Sequence, residues 1–90
     1  MKHRLLHSHD LAQRLGDYAR RLGCDAADLR EAWDWMLRHD VAFEEPRRDG
    51  RVRTFISYLD VEKRIEHPLA RRFYALLKSE VPTGFVPLYG

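Results

Sequence analysis

Val41-Ala-Phe-Glu-Glu-Pro-Arg-Arg-Asp-Gly-Arg-Val-Arg-Thr-Phe-Ile-Ser-Tyr-Leu59 is the stretch on which the fold turns. Two alternating segments flank Asp49-Gly50. Asp-Gly favours a two-residue type I′ hairpin turn, because both central residues need positive φ. With that pair at the tip, Arg48 faces Arg51, Glu45 faces Thr54, Phe43 faces Ile56 and Val41 faces Tyr58. This register gathers Val41, Phe43, Ile56 and Tyr58 on one face, as a half-buried hairpin requires. It leaves Arg47, Arg48, Arg51 and Arg53 around an exposed tip.

Two helical segments precede the hairpin. Asp10 to Leu22 is predicted as the first, with Asp10 as its cap and Gln13 as a capping-box partner. Leu11, Leu15, Tyr18, Ala19 and Leu22 share one stripe at helical spacing. Gly23 is a natural stop, and Gly16 marks a point where the helix can break. Asp25 then caps a second helix running to about His39. Its apolar face is Leu29, Ala32, Trp33, Met36 and Leu37, and Trp35 points away from the centre of that stripe.

After the hairpin, Asp60 is placed to cap a third helical region. Val61, Ile65, Leu69, Phe73, Leu76 and Leu77 give its buried stripe. Pro68 suits a helix start and not an interior. The reading is a short helical piece before His67 and a longer one from Pro68 to about Ser79, or one kinked helix. The ending, Val81-Pro-Thr-Gly-Phe-Val-Pro-Leu-Tyr-Gly90, reads as extended chain. Phe85, Val86, Leu88 and Tyr89 make it apolar, so it is expected to be ordered, packed on its own domain or against a second protomer.

The order is helix, helix, hairpin, helix. Asp10 through Tyr58 resembles part of a winged helix-turn-helix domain. Leu11-Ala-Gln-Arg-Leu-Gly16 or Tyr18-Ala-Arg-Arg-Leu-Gly23 is similar to the support-helix phrase. Asp25 to His39 takes the recognition-helix place, and Val41 to Leu59 resembles the wing. The resemblance covers about half the chain and concerns fold type. A separate first helix and first strand are not evident.

Ninety residues make one domain, 1–90, with residues 1–9 read as a flexible lead and 81–90 as an extended tail. Apolar residues make up 44% of the chain, enough for one modest core. The start, Met-Lys-His-Arg-Leu-Leu-His, is interrupted by charge where a secretory leader would be apolar. No apolar run reaches the length of a membrane span, and the single Cys24 has no internal disulfide partner. A reducing, cytoplasmic setting is the expectation.

The formal charge of +2 is too small to argue nucleic-acid binding from net charge. Of the 16 basic residues, 13 are arginine. Biased codon usage explains that, and so does bidentate recognition of phosphate or carboxylate. The recognition-helix place carries Asp25, Asp28, Glu31 and Asp34 against only Arg30 and Arg38. Such a face repels a phosphate backbone. The hairpin is the better nucleic-acid candidate, through Arg47, Arg48, Arg51 and Arg53 with Phe55 on the same outer face as Arg53. The competing explanation is that arginines keep a hairpin edge soluble.

His3 and His7 have the spacing of two imidazoles on one helix face, near His9 and Asp10, but no second cluster completes a structural zinc site. His39 and His67 are isolated, and no metal is expected. Cys24 precedes a helix beside Asp25, whose charge opposes a thiolate. Glu44 and Glu45 point to opposite faces of a strand and would not share a proton. No phosphate-binding glycine loop, HExxH or GxSxG pattern is present. Neither catalysis nor a cofactor is expected.

Protein binding remains. Trp35, Phe55, Phe85, Leu88 and Tyr89 are candidate apolar surface, and Trp, Tyr and Arg dominate binding hot spots. An acidic helix beside a cationic hairpin suits association with another protein or with a second copy. The expectation is a small α+β, winged-helix-like, non-enzymatic regulatory binding protein. Its partner would be a protein or a nucleoprotein complex, with direct DNA or RNA binding through the arginine hairpin as the alternative.

Overall fold

The computed structural model describes residues 2–57, 59, 61–81, 84–86 and 88, with side chains from Leu11 onwards. The expected Val41–Tyr58 pairing, the Asp60 cap, the Tyr89 contact and the side chains of His3, His7 and His9 lie outside the described residues.

Helix α1 runs from Lys2 to Leu22, beginning well ahead of Asp10 and passing Gly16 without a break. Leu11, Leu15, Tyr18 and Ala19 are its buried stripe. It stops where Gly23 takes φ +71°. There the Cys24 N–H donates to Ala19 O at 3.0 Å, the closing bond of a Schellman motif. Helix α2 spans Ala26–Arg38. Asp25 occupies its N-cap position with extended backbone, but its carboxylate makes no capping hydrogen bond. Leu29, Ala32, Trp33 and Met36 are buried along α2, as their spacing requires. At its end Asp40 adopts φ 57°, and the Val41 N–H reaches back to Met36 O at 2.9 Å. A left-handed residue there turns the chain into the hairpin.

Strands β1 (Ala42–Pro46) and β2 (Val52–Ile56) form the hairpin, but not in the register expected from a two-residue turn. Phe43 pairs with Phe55, Glu44 with Thr54 and Glu45 with Arg53. The Gly50 N–H donates to Arg47 O at 3.1 Å, and the Arg47 N–H to Arg51 O at 2.8 Å. Only Gly50 in the loop has positive φ, +84°. This is a three-residue loop, a type I turn followed by a left-handed glycine. Pro46 supplies the physical reason. A two-residue turn would make Pro46 and Arg53 a hydrogen-bonded pair, and proline has no N–H to give. In the observed register Pro46 turns its nitrogen to the open edge of the sheet. The one-residue slip reverses the faces of β1. Ala42 is buried, and Phe43, expected in the core, is 43% exposed.

A 3-10 turn (Glu62–Arg64) leads into helix α3 (Pro68–Glu80). Pro68 opens α3, and His67 Nδ1 accepts from the Ala70 N–H at 3.2 Å as its cap. Phe73, Tyr74 and Leu77 are fully buried. Phe73 lies 5.3 Å from the Tyr18 ring and 6.0 Å from Trp33, joining all three helices. The Tyr74 hydroxyl lies 2.7 Å from Ser57 O and 3.1 Å from Leu59 O, tying the segment after β2 to α3. Arg72 donates to Leu22 O at 2.6 Å and Arg21 pairs with Glu80, so α1 and α3 are clasped at two points.

The chain closes with β3 (Phe85–Val86), antiparallel to β2, giving the sheet order β1-β2-β3. Thr54 Oγ1 donates to Val86 O, which satisfies the only hydroxyl buried inside the sheet among the described residues. Gly84 has φ +80°, and a Cβ there would lie 3.1 Å from Ile56 O, so the turn needs glycine on both counts. Val86 and Leu88 enter the core at 1% and 0% exposure. The described ending therefore packs internally, and Leu88, expected on the surface, is a core residue. The result is a small α+β domain, three helices packed with a three-stranded antiparallel sheet.

Candidate interaction face on the sheet

Alternation sorts the sheet's side chains into two layers. Thr54, Ile56, Ala42 and Val86 are buried on the helical side. Arg53, Phe55, Phe43, Glu45 and Phe85 take the other side. The bonds from the Ser57 N–H to Val41 O and the Arg47 N–H to Arg51 O set the phase of the β1–β2 ladder. Odd-numbered residues of β1 bond to β2, so Phe43 and Phe55 are a hydrogen-bonded pair. The Ile56 N–H to Gly84 O bond sets the opposite phase between β2 and β3. Phe55 and Phe85 are thus a non-hydrogen-bonded pair, whose side chains approach closely. Their rings meet edge to face at 5.5 Å and 88°.

Phe43, Phe55 and Phe85 therefore form one row across all three strands. Phe43 is 43% and Phe85 42% exposed, and Phe55 is half-buried. Full burial of a phenylalanine contributes about 1.5–3 kcal/mol, so this row leaves much of that stabilisation unused in the isolated chain. Next to it, towards the tip, Glu45 stands opposite Arg53.

The tip is cationic but organised by one carboxylate. Asp49 Oδ1 accepts from the Arg51 N–H at 3.0 Å, and Oδ2 lies 3.8 Å from the Arg51 guanidinium. That backbone hydrogen bond, helped by the charges of Arg51 and Arg47, lowers the Asp49 pKa below its ordinary value of 3.8. Arg47, Arg48 and Arg53 make no ion pair among the described residues. With Glu45, Pro46 and Asp49 they line an open depression of about 480 Å³.

The sheet edges offer less. The outward-facing backbone of β1 belongs to Ala42, Glu44 and Pro46, and Pro46 contributes no donor. The opposite edge, β3, is two residues long. Short edges carrying proline and charge resist strand addition.

The other expected residues lie elsewhere. Trp35 sits on the helical side, half-buried, stacked on His39 at 4.0 Å and 5.8 Å from His67. His67 Nε2 is 3.5 Å from Glu31. Asp25, Asp28 and Glu31 are exposed, and Asp34 is engaged by Arg30 at 3.3 Å, so the surface of α2 is acidic. Cys24 packs against the core. Among the described residues no three His, Cys, Asp or Glu side chains come together as metal ligands, and no helix is long and apolar enough to cross a membrane.

Of the residues singled out from sequence, the structure brings together Arg47, Arg48, Arg51, Arg53, Phe55 and Phe85. It adds Phe43, which the two-residue turn had hidden in the core. Pro46 was the signal that exposes it. No protein-family model, curated protein or solved structure matches this chain.

Proposed function

We propose that this chain is a small non-enzymatic binding domain, regulatory in role, that meets a partner protein through the outer face of its sheet. The observation that carries the reading is the row Phe43, Phe55 and Phe85 beside Arg53, with Phe43 and Phe85 exposed and Phe55 half-buried between them. Aromatic residues and arginine, gathered at the centre of a patch, are the usual source of binding energy in protein interfaces. On the tip side of the row Glu45, Arg53 and the hairpin arginines supply a polar margin.

The same proposal includes a winged-helix arrangement in permuted order. Taken from α3, the elements run α3, β3, α1, α2, β1, β2. The helix and strand that a winged helix carries before its support helix are here supplied after the wing. α1 and α2, joined through Gly23, Cys24 and Asp25, take the helix-turn-helix place, and the β1–β2 hairpin takes the wing's. In this permuted order the acidic α2 is unsuited to DNA, and contact falls to the wing and its sheet.

The second reading is direct DNA or RNA binding by the hairpin. It is favoured by Arg47, Arg48 and Arg53 at the tip, which make no ion pair among the described residues. Affinity capture from native lysate, with and without nuclease, separates the two. The protein reading expects partners that survive nuclease and are lost with Phe43→Ser. Recovery of nucleic acid, with protein partners lost on nuclease treatment, supports the second. Capture unaffected by Phe43→Ser contradicts the proposed face.

A further inference from the structure

Resting on the reading that the outer sheet face binds, we infer that its occupant is a protein segment carrying carboxylates interspersed with apolar side chains. Two features of the face select that chemistry. The phenylalanine row offers apolar contact, half-used within the chain. Beside it Arg47, Arg48 and Arg53 border a depression without an ion pair among the described residues, while the Asp49 carboxylate is held by its own turn. Arginine forks match carboxylates bidentately, so an occupant must bring anionic groups to the tip and apolar groups to the row.

A carboxylate-bearing protein segment fits better than nucleic acid for two reasons. Glu44, Glu45 and Asp49 lie within the hairpin among Arg47, Arg48, Arg51 and Arg53, so its formal charge is only weakly positive. A polyanion passing over the outer face meets Glu45 and Asp49 as well as the arginines; a protein can place each carboxylate at an arginine. The edge-to-face contact of Phe55 and Phe85 also occupies a π face that a base would need for stacking. Within the protein reading, Pro46 and the brevity of β3 leave little backbone for strand addition. Recognition is therefore by side chains, with discrete charges setting the register of the partner.

The test uses three fluorescein-labelled probes: a peptide alternating glutamate and leucine, its lysine–leucine counterpart, and a single-stranded oligothymidylate. Anisotropy is measured at low and physiological salt. The glutamate–leucine peptide binds saturably, more weakly at high salt, and the lysine–leucine peptide does not. Replacing Arg47, Arg48 and Arg53 together by alanine weakens that binding by about tenfold or more, as loss of charge-assisted contacts requires. Phe43→Ser, checked as folded by circular dichroism, weakens it independently. Absence of saturable glutamate–leucine binding, or tighter binding of the oligothymidylate, overturns the inference. If the peptide fails while Phe43→Ser still abolishes capture of lysate proteins, the face stands and the acidic class of partner falls. If Phe43→Ser changes neither assay, the face falls and this inference with it.

Discussion

Phe43 stands directly opposite Phe55, and neither ring belongs to the buried cluster that holds the domain together. A substitution at Phe43 therefore removes surface contact and leaves the core intact. Phe43→Ser should cost no more than about 1 kcal/mol, the upper end for losing one cross-strand side-chain pair. Phe73→Ala, at a fully buried site between Tyr18 and Trp33, should cost about 3–5 kcal/mol. Urea titration of both variants measures the difference. Equal losses would put Phe43 in the core.

Gly50 supplies the left-handed residue of the loop, with open space around it. Gly50→Val should destabilise the domain by about 1–2 kcal/mol through backbone conformation, because a β-branched residue resists positive φ. Thermal unfolding gives the answer. A melting temperature unchanged from the parent would mean that the loop does not hold glycine at positive φ.

The turn also shows how far the sequence could be read. The helices were legible because Leu11, Leu15 and Tyr18, then Leu29, Ala32, Trp33 and Met36, repeat at helical spacing. Gly23 and Pro68 punctuate them. The hairpin's position is legible from Asp49-Gly50, but its register is not, since that pair fits both a two-residue and a three-residue loop. One proline decides between them, by a hydrogen bond it cannot make. The candidate site suffered accordingly: the tip arginines were visible and Phe43 was not. β3 was beyond local reading, because pairing Phe85 with Phe55 is a long-range contact with no short-range signature. Leu88 looked like surface for the same reason. The early start of α1 had no apolar stripe through His3, His7 and His9 to announce it.

Leu88 makes the described ending part of the core, at 0% exposure. Leu88→Ala should cost about 2–5 kcal/mol, the range for truncating a buried leucine. The loss should be the same at any protein concentration, since the contact is internal. Melting curves at widely separated concentrations check it. Stability that rises with concentration in the parent and not in the variant would move Leu88 to an interface between copies.

Asp49 gives the tip a dependence on acid. Its folded pKa is lowered below the ordinary 3.8 by the Arg51 backbone hydrogen bond and by the neighbouring arginines. A lowered carboxylate pKa contributes stability that is fully present above the unfolded value and is lost as pH falls through the folded one. Asp49→Asn keeps an acceptor for the Arg51 N–H and removes the charge. The variant should show a shallower loss of stability below pH 3.8 than the parent and no difference in slope at neutral pH. Identical acid limbs would show that the charge contributes nothing to the turn.

The exposed aromatic row exists only if the hairpin pairs as described, so nuclear Overhauser contacts between strand α-protons test it most directly. Non-hydrogen-bonded antiparallel pairs bring their Cα atoms to about 4.5 Å, close enough for strong α-proton contacts. The three-residue loop predicts such contacts between Glu44 and Thr54 and between Ala42 and Ile56. Contacts between Glu45 and Thr54 and between Phe43 and Ile56 would instead establish the two-residue turn, return Phe43 to the core and remove the proposed face.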